Sequence, residues 1–120
     1  MEILVHSINN EKVAEIISDD TFINDSQDIL DLIGDLYSGG TNKIILQEKH
    51  LSNQFFDLKT KLAGEILQKF SNYNFKLAII GDFSKYKSKS LQDFIRESNK
   101  GGSIYFMNNL NETLSKLTNI

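Results

Sequence analysis

The sequence predicts an α/β domain: a five-stranded mixed sheet in which an N-terminal β-hairpin is followed by α-β-α-β-α-β-α. Three observations predict it. Two β-branched runs flank an Asn-Asn pair near the N-terminus, which is a hairpin signature. Three later blocks are short and apolar without polar alternation, as in strands covered on both faces. Between them, apolar residues recur at intervals of three and four, as on one side of a helix. A chain of 120 residues that is 40% hydrophobic can enclose one core, and a second independent domain would not fit.

The first strand is expected over Ile3 to Ile8, the turn at Asn9-Asn10 and the second strand over Val13 to Ile17. Asp19 to Asp25 is polar apart from Phe22 and Ile23 and reads as a connection ending at a helix cap. Ile29, Leu30, Ile33, Leu36 and Tyr37 then make a helical stripe opposite Asp28, Asp31 and Asp35, and Gly39-Gly40 ends the helix. Lys43 to Glu48 is the first buried strand, and Lys49 to Gln54 a loop. Leu58, Leu62, Ile66 and Phe70 are spaced by four, with Ala63 and Leu67 beside them, while Lys59, Lys61, Glu65 and Lys69 face outward on this second helix. Gly64 in its interior costs about 1 kcal/mol relative to Ala, which suggests close approach to the sheet. Phe75 to Gly81 reads as a central strand ending in Gly81-Asp82. Ser90, with Asp93 three residues on, is expected to cap a third helix carrying Leu91, Phe94 and Ile95 and stopped by Gly101-Gly102. Ile104 to Met107 is the last strand, and Asn109 with Glu112 caps a terminal helix with Leu110, Leu114 and Leu117.

Composition narrows the function classes. The absence of cysteine removes disulfides, thiolate zinc sites and cysteine nucleophiles, and suits a reducing cytoplasm. Met1 to Ile8 has neither the basic start nor the apolar run of a signal peptide, and no apolar run approaches the roughly 18 residues of a membrane span, so no membrane insertion is expected. A net charge of −3 argues against holding nucleic acid by bulk phosphate neutralisation.

Two stretches go beyond pattern: FFDLKTKLAGEILQKFSNYNFKLAIIGDFSKYKSKS from Phe55 to Ser90, and LQDFIRESNKGG from Leu91 to Gly102. Through its FFDL-basic-T block, its LAGEILQKF helix, its GDFS-x-Y loop and its DFI-x-ESN helix, the chain resembles the bacterial domain-of-unknown-function family 4180. That resemblance implies no activity. Lys61 departs from it, standing where the family pattern has Gly, which puts in doubt a partner's close approach to that turn. The element order is also similar to that of STAS domains, the fold of anti-sigma factor antagonists. There the loop after the third strand presents a phosphorylated Ser or Thr. Here Phe56-Asp57-Leu58-Lys59-Thr60 lacks the usual Asp-Ser pair and offers only the Thr60 hydroxyl, so the phosphoswitch is not carried over.

Parallel strands joined by helices expose their C-terminal ends along one edge, the first place to look for a site. There the sequence places Glu48, His50, Asp57, Lys59 and Thr60 near the exit of the third strand, with Asp82, Ser84 and Lys85 at the exit of the fourth. Carboxylates and a histidine on neighbouring strand ends suit metal binding or acid–base chemistry. The competing reading has Asp57 and Asp82 capping helices or turns and His50 as a solvated loop residue. The loop GDFSKYKSKS, with Lys85, Lys87 and Lys89 before a helix start, is a candidate anion site, although the P-loop order is missing. No Ser-His-Asp order, HExxH or GxGxxG is present, and no catalytic residue, cofactor or metal is assigned.

The expectation is therefore a cytoplasmic, non-catalytic regulatory or protein-interaction domain with an unidentified protein partner. Its binding would centre on Asp82 and the Asp57 to Thr60 segment. The alternative is a nucleotide-, phosphate- or small-molecule-binding protein or small enzyme using the same loops. A homodimer is also expected, because short strands apolar on both sides need more cover than four modest helices provide.

Overall fold

The computed structural model describes residues 1–119. Strands β1 (Glu2–Ile8) and β2 (Glu11–Ile17) form the hairpin, followed by α1 (Ser26–Tyr37), β3 (Lys43–Gln47), α2 (Leu62–Asn72), β4 (Lys76–Ile80), α3 (Lys89–Gly101), β5 (Ile104–Met107) and α4 (Leu110–Thr118). The sheet order is β1-β2-β3-β4-β5. β1 runs antiparallel to β2, and β2, β3, β4 and β5 are mutually parallel. Asn9 and Asn10 turn the hairpin with φ of 52° and 65°, left-handed values that Asn tolerates better than most residues.

The monotonic strand order decides the layers. Each β-α-β crossover steps in the same direction, so right-handedness sends α1, α2 and α3 to one face. They pack on Ala14, Ile16, Ile44, Leu46, Leu77, Ile79, Ile104 and Phe106 to form the larger core. α4 covers the other face, where Val13, Ile45, Ala78, Ile80 and Tyr105 pack with Leu117. β4 thus lies inside the sheet and is covered on both sides, as its unbroken apolar run requires.

One helix cannot span five strands, and the second face turns polar toward the hairpin. There His6 Nε2 lies 2.8 Å from Glu15 Oε1, and Lys43 pairs with Glu11. Glu15 and Lys43 are both buried, so these partners are needed to offset their desolvation.

Several local expectations are corrected. α1 buries Ile29, Leu32, Ile33 and Leu36, whereas Tyr37 points to solvent; Leu32, at i−4 from Leu36, completes the stripe. The cap of α3 is Ser88, whose hydroxyl accepts from Leu91 N–H at 3.2 Å, and not Ser90, which lies inside the first turn. Asp93 consequently serves no cap; it accepts from Arg96 at 2.5 Å and pairs with Lys89 at 3.6 Å, the arginine bond holding its carboxyl below the usual range. Gly64 makes no close approach: it is exposed on α2, and a Cβ there would meet nothing within 4 Å.

α2 begins at Leu62, four residues after Leu58, because the chain reverses first through a 3-10 turn at Leu58–Thr60 and a left-handed Lys61 at φ 68°, ψ 2°. Of the non-glycine residues with positive φ among those described, only Lys61 is not Asn. This gives a conformational reason to expect glycine at this position: a Cβ in this region costs about 1 kcal/mol. Lys61→Gly is expected to stabilise the fold by about 0.5–1 kcal/mol, after allowance for the freer unfolded chain. Urea unfolding would read this as a higher midpoint at unchanged slope, and a lower midpoint would show that the lysine side chain matters more than the strain.

Candidate functional site

Two of the strand-exit residues, His50 and Glu48, each centre a separate set of contacts. His50 is fully buried, not solvated, at the end of a 3-10 turn over Glu48–His50. Gln47 N–H donates to its Nδ1 at 2.9 Å, which leaves Nε2 as the protonated nitrogen, donating to Ser18 C=O at 2.9 Å. Its ring lies 5.3 Å from that of Phe22. Burial, the largest cause, pushes the pKa below the ordinary value. The backbone repeats the link: Phe22 and Ile23 N–H both donate to His50 C=O at 3.0 Å, and Ser52 N–H to Ile23 C=O at 2.9 Å. Both ring nitrogens are thus occupied in tying the β3 exit to the β2–α1 connection.

The second set gathers around Glu48. Its carboxylate accepts from the Tyr86 hydroxyl at 2.5 Å and pairs with Lys85 Nζ at 2.7 Å. Burial first, and this bond second, push the Tyr86 phenol well above its ordinary pKa. The Tyr86 ring stacks on Phe56 with centroids 4.9 Å apart and planes 10° from parallel, and Lys85 Nζ lies 5.5 Å from its centroid. Gly81 makes room for this cluster: a Cβ there would fall 2.7 Å from Glu48 Cβ.

Asp57, Thr60 and Asp82 hold local backbone, Ser84 is the partner of Asp82, and the Lys59 ammonium pairs with no carboxylate among the described residues. Asp57 accepts from Lys59 N–H at 3.2 Å. Thr60 Oγ1 lies 2.6 Å from Gln54 C=O and 2.8 Å from Asp57 C=O, its one hydrogen shared between them. Asp82 Oδ1 accepts from the Ser84 hydroxyl at 2.6 Å and from Ser84 N–H at 3.1 Å; the hydroxyl bond is the main reason its pKa is lowered. Gln92 of α3 reaches back to Phe83 C=O at 2.9 Å and Tyr86 C=O at 2.8 Å.

Phe56 stacked on Tyr86 joins the loop bearing Asp57, Lys59 and Thr60 to the loop bearing Asp82, Ser84 and Lys85. No hydrogen bond links Asp57 to Asp82 among the described residues, and no group of three His, Cys, Asp or Glu there could hold a metal ion. No described helix is long and apolar enough to cross a membrane. Tyr86 and Gly81 are the residues that sequence reasoning passed over. The signal for them was the GDFS-x-Y block itself, with a glycine and a tyrosine at fixed spacing around an exposed turn.

Beside this clamp an open groove of about 530 Å³ runs between α2 and α3. Leu58 and Phe94 are its apolar lining, Gly64 in the first turn of α2 leaves it open, and Lys61, Glu65, Gln68 and Lys69 complete it.

Comparison with curated proteins and with solved structures returns no match. The family model described as "Domain of unknown function (DUF4180)" matches residues 8–117, and the chain belongs to that family.

Proposed function

We propose that the chain is a non-catalytic protein-interaction domain of the bacterial cytoplasm, and that its partner docks an acidic, apolar segment in the groove between α2 and α3. The observation that carries this reading is the groove itself. It is open and lined by the apolar Leu58 and Phe94, with two lysines, Lys61 and Lys69, against one carboxylate, Glu65, on a chain whose net charge is −3. That local excess of positive charge on an acidic protein favours a partner of opposite sign and steers its approach. The strand-exit residues then act as supports, since Asp57 caps the turn that presents Leu58, and Glu48, Tyr86 and Phe56 lock that turn to the β4 exit. The alternative, a phosphate- or nucleotide-binding protein or small enzyme, would need free donors and carboxylates at Asp57, Asp82 and the lysine loop. Asp57 and Asp82 each give one oxygen to local backbone, Lys85 and Lys89 pair with carboxylates and Ser88 caps α3, which leaves Lys87 as the loop lysine with no carboxylate partner among the described residues.

Gly64→Leu tests the reading without weakening the fold. Leucine is a better helix former by up to about 0.8 kcal/mol, and its side chain would enter open space, filling the groove. Thermal stability should hold or rise, while any protein captured by the wild type from a bacterial lysate should be lost. Retention of that same protein by Gly64→Leu would refute the groove as the docking site. A reproducible thermal shift with nucleotides, metals or phosphorylated metabolites, with no protein captured, would favour the alternative.

A further inference from the structure

We propose that the open edge of β1 is a homodimer interface, where two copies pair antiparallel about a two-fold axis through Leu4 and join their sheets into one of ten strands. β1 is a sheet edge, and its outer side pairs with no other strand among the described residues. Such edges usually carry a guard: proline, a bulge or a lysine. β1 has none of these, since its register with β2 is unbroken from Glu2 to Ile8 and its sequence is EILVHSI. It exposes Ile3 at 43% and Val5 at 47% on one face and Leu4 at 51% on the other, with Ile17 of β2 exposed at 43% near by. An edge with apolar side chains on both faces is suited to another strand rather than to water.

The hairpin turn sets the phase of that edge. A two-residue loop makes Ile8 and Glu11 a hydrogen-bonded pair, and the pairs alternate from there. The backbone groups of Glu2, Leu4, His6 and Ile8 therefore point to β2, and those of Ile3, Val5 and Ser7 point outward. A second copy must pair through these outward groups, which restricts the registers. With Leu4 on the axis, Ile3 exchanges backbone bonds with Val5 of the second copy, twice over. On the opposite face Leu4 meets Leu4, and Glu2 meets His6, whose Nε2 stays with Glu15 and whose Nδ1 has no other partner among the described residues, an acid facing a base. With Val5 on the axis, Leu4 would instead face His6 and Glu2 would face Ile8. With Ile3 on the axis, Leu4 would face Glu2 and the overlap would shorten. Only the Leu4-centred register matches apolar with apolar and acid with base, and the contact closes on itself, as two-fold interfaces do.

Sedimentation velocity at micromolar concentration should give a species of twice the 13.7 kDa chain mass. Leu4→Lys, which sets two ammonium groups face to face on the axis, should give the single-chain mass with an unchanged circular dichroism spectrum. The register has its own readout, because the chain contains no cysteine. In the Leu4-centred register, Leu4→Cys places two thiols on directly opposed residues about 4.5 Å apart between Cα atoms, within disulfide reach. Mild oxidation should then cross-link most of the protein, whereas Val5→Cys, opposed by Ile3, should cross-link at least several-fold less. A wild-type protein of single-chain mass would overturn the proposal, as would a dimer that survives Leu4→Lys or one that cross-links equally well through Val5→Cys.

Discussion

Replacing His50 by alanine is expected to cost about 3–5 kcal/mol of folding stability. The imidazole is buried and satisfies two backbone groups at once, the N–H of Gln47 and the C=O of Ser18. Alanine orphans both inside the protein, at about 1–3 kcal/mol each, and leaves a void beside Phe22. Against a typical total of about 5–15 kcal/mol, the melting temperature should fall by some 10–20 °C. Chemical denaturation at pH 7.5 would measure it, and a loss under about 1 kcal/mol would show that the two backbone groups find other partners.

The same residue sets a pH dependence whose sign follows from its tautomer. Protonating Nδ1 would aim a new N–H at the Gln47 N–H, so the folded state resists the charge that burial already disfavours. The unfolded chain takes up its proton near the ordinary pKa of 6.5, and the folded chain only at lower pH. The contribution of His50 is therefore fully present above about pH 6.5 and is lost as pH falls through the folded value. Stability should drop between pH 7 and pH 5 in the wild type, and the drop should be smaller in His50→Ala. Every other titratable group is common to the two proteins, so the difference between the two curves isolates His50.

What the sequence disclosed, and what it withheld, follow from how far each signal reaches along the chain. The parallel run of the later strands and the interior place of β4 were legible because strands joined by helices make right-handed crossovers, and because Leu77 to Ile80 is apolar at every position. The caps at Asp25 and Asn109 were legible because the bond spans only three residues. The role of His50 was not, since Ser18 lies 32 positions away and nothing near His50 in sequence marks it as buried. The same holds for Tyr86, whose acceptor Glu48 is 38 positions distant. Gly64 misled for a different reason: a glycine in a helix usually reports a close neighbour, whereas this one faces the groove. Asp57, Asp82 and Thr60 were found by their type and place on strand exits, and the structure puts all three to work on local backbone.

Gly81→Ala should cost about 1–3 kcal/mol by overpacking and, unlike most surface changes, should loosen both strand-exit loops together. The added methyl would lie 2.7 Å from Glu48 Cβ, 2.7 Å from Glu48 Oε1 and 3.2 Å from Phe83 Cζ. The carboxylate end can swing away, but the Cβ is fixed to the backbone of the Glu48–His50 turn, so relief requires that turn to move off the end of β4. Movement there separates Glu48 from Tyr86 and Lys85, and Tyr86 loses its acceptor. Two measurements distinguish this from simple destabilisation. One tyrosine of the four should ionise at lower pH in the folded variant than in the wild type, because the carboxylate that helps hold the Tyr86 phenol protonated has moved away. Glu48→Gly, which deletes the side chain the methyl would strike, should make the second substitution cheaper, so the double variant should lose less than the two single losses together. Strict additivity with an unchanged tyrosine titration would mean that the backbone absorbs the methyl elsewhere, and that Gly81 is not the residue that lets Glu48 clamp the two loops.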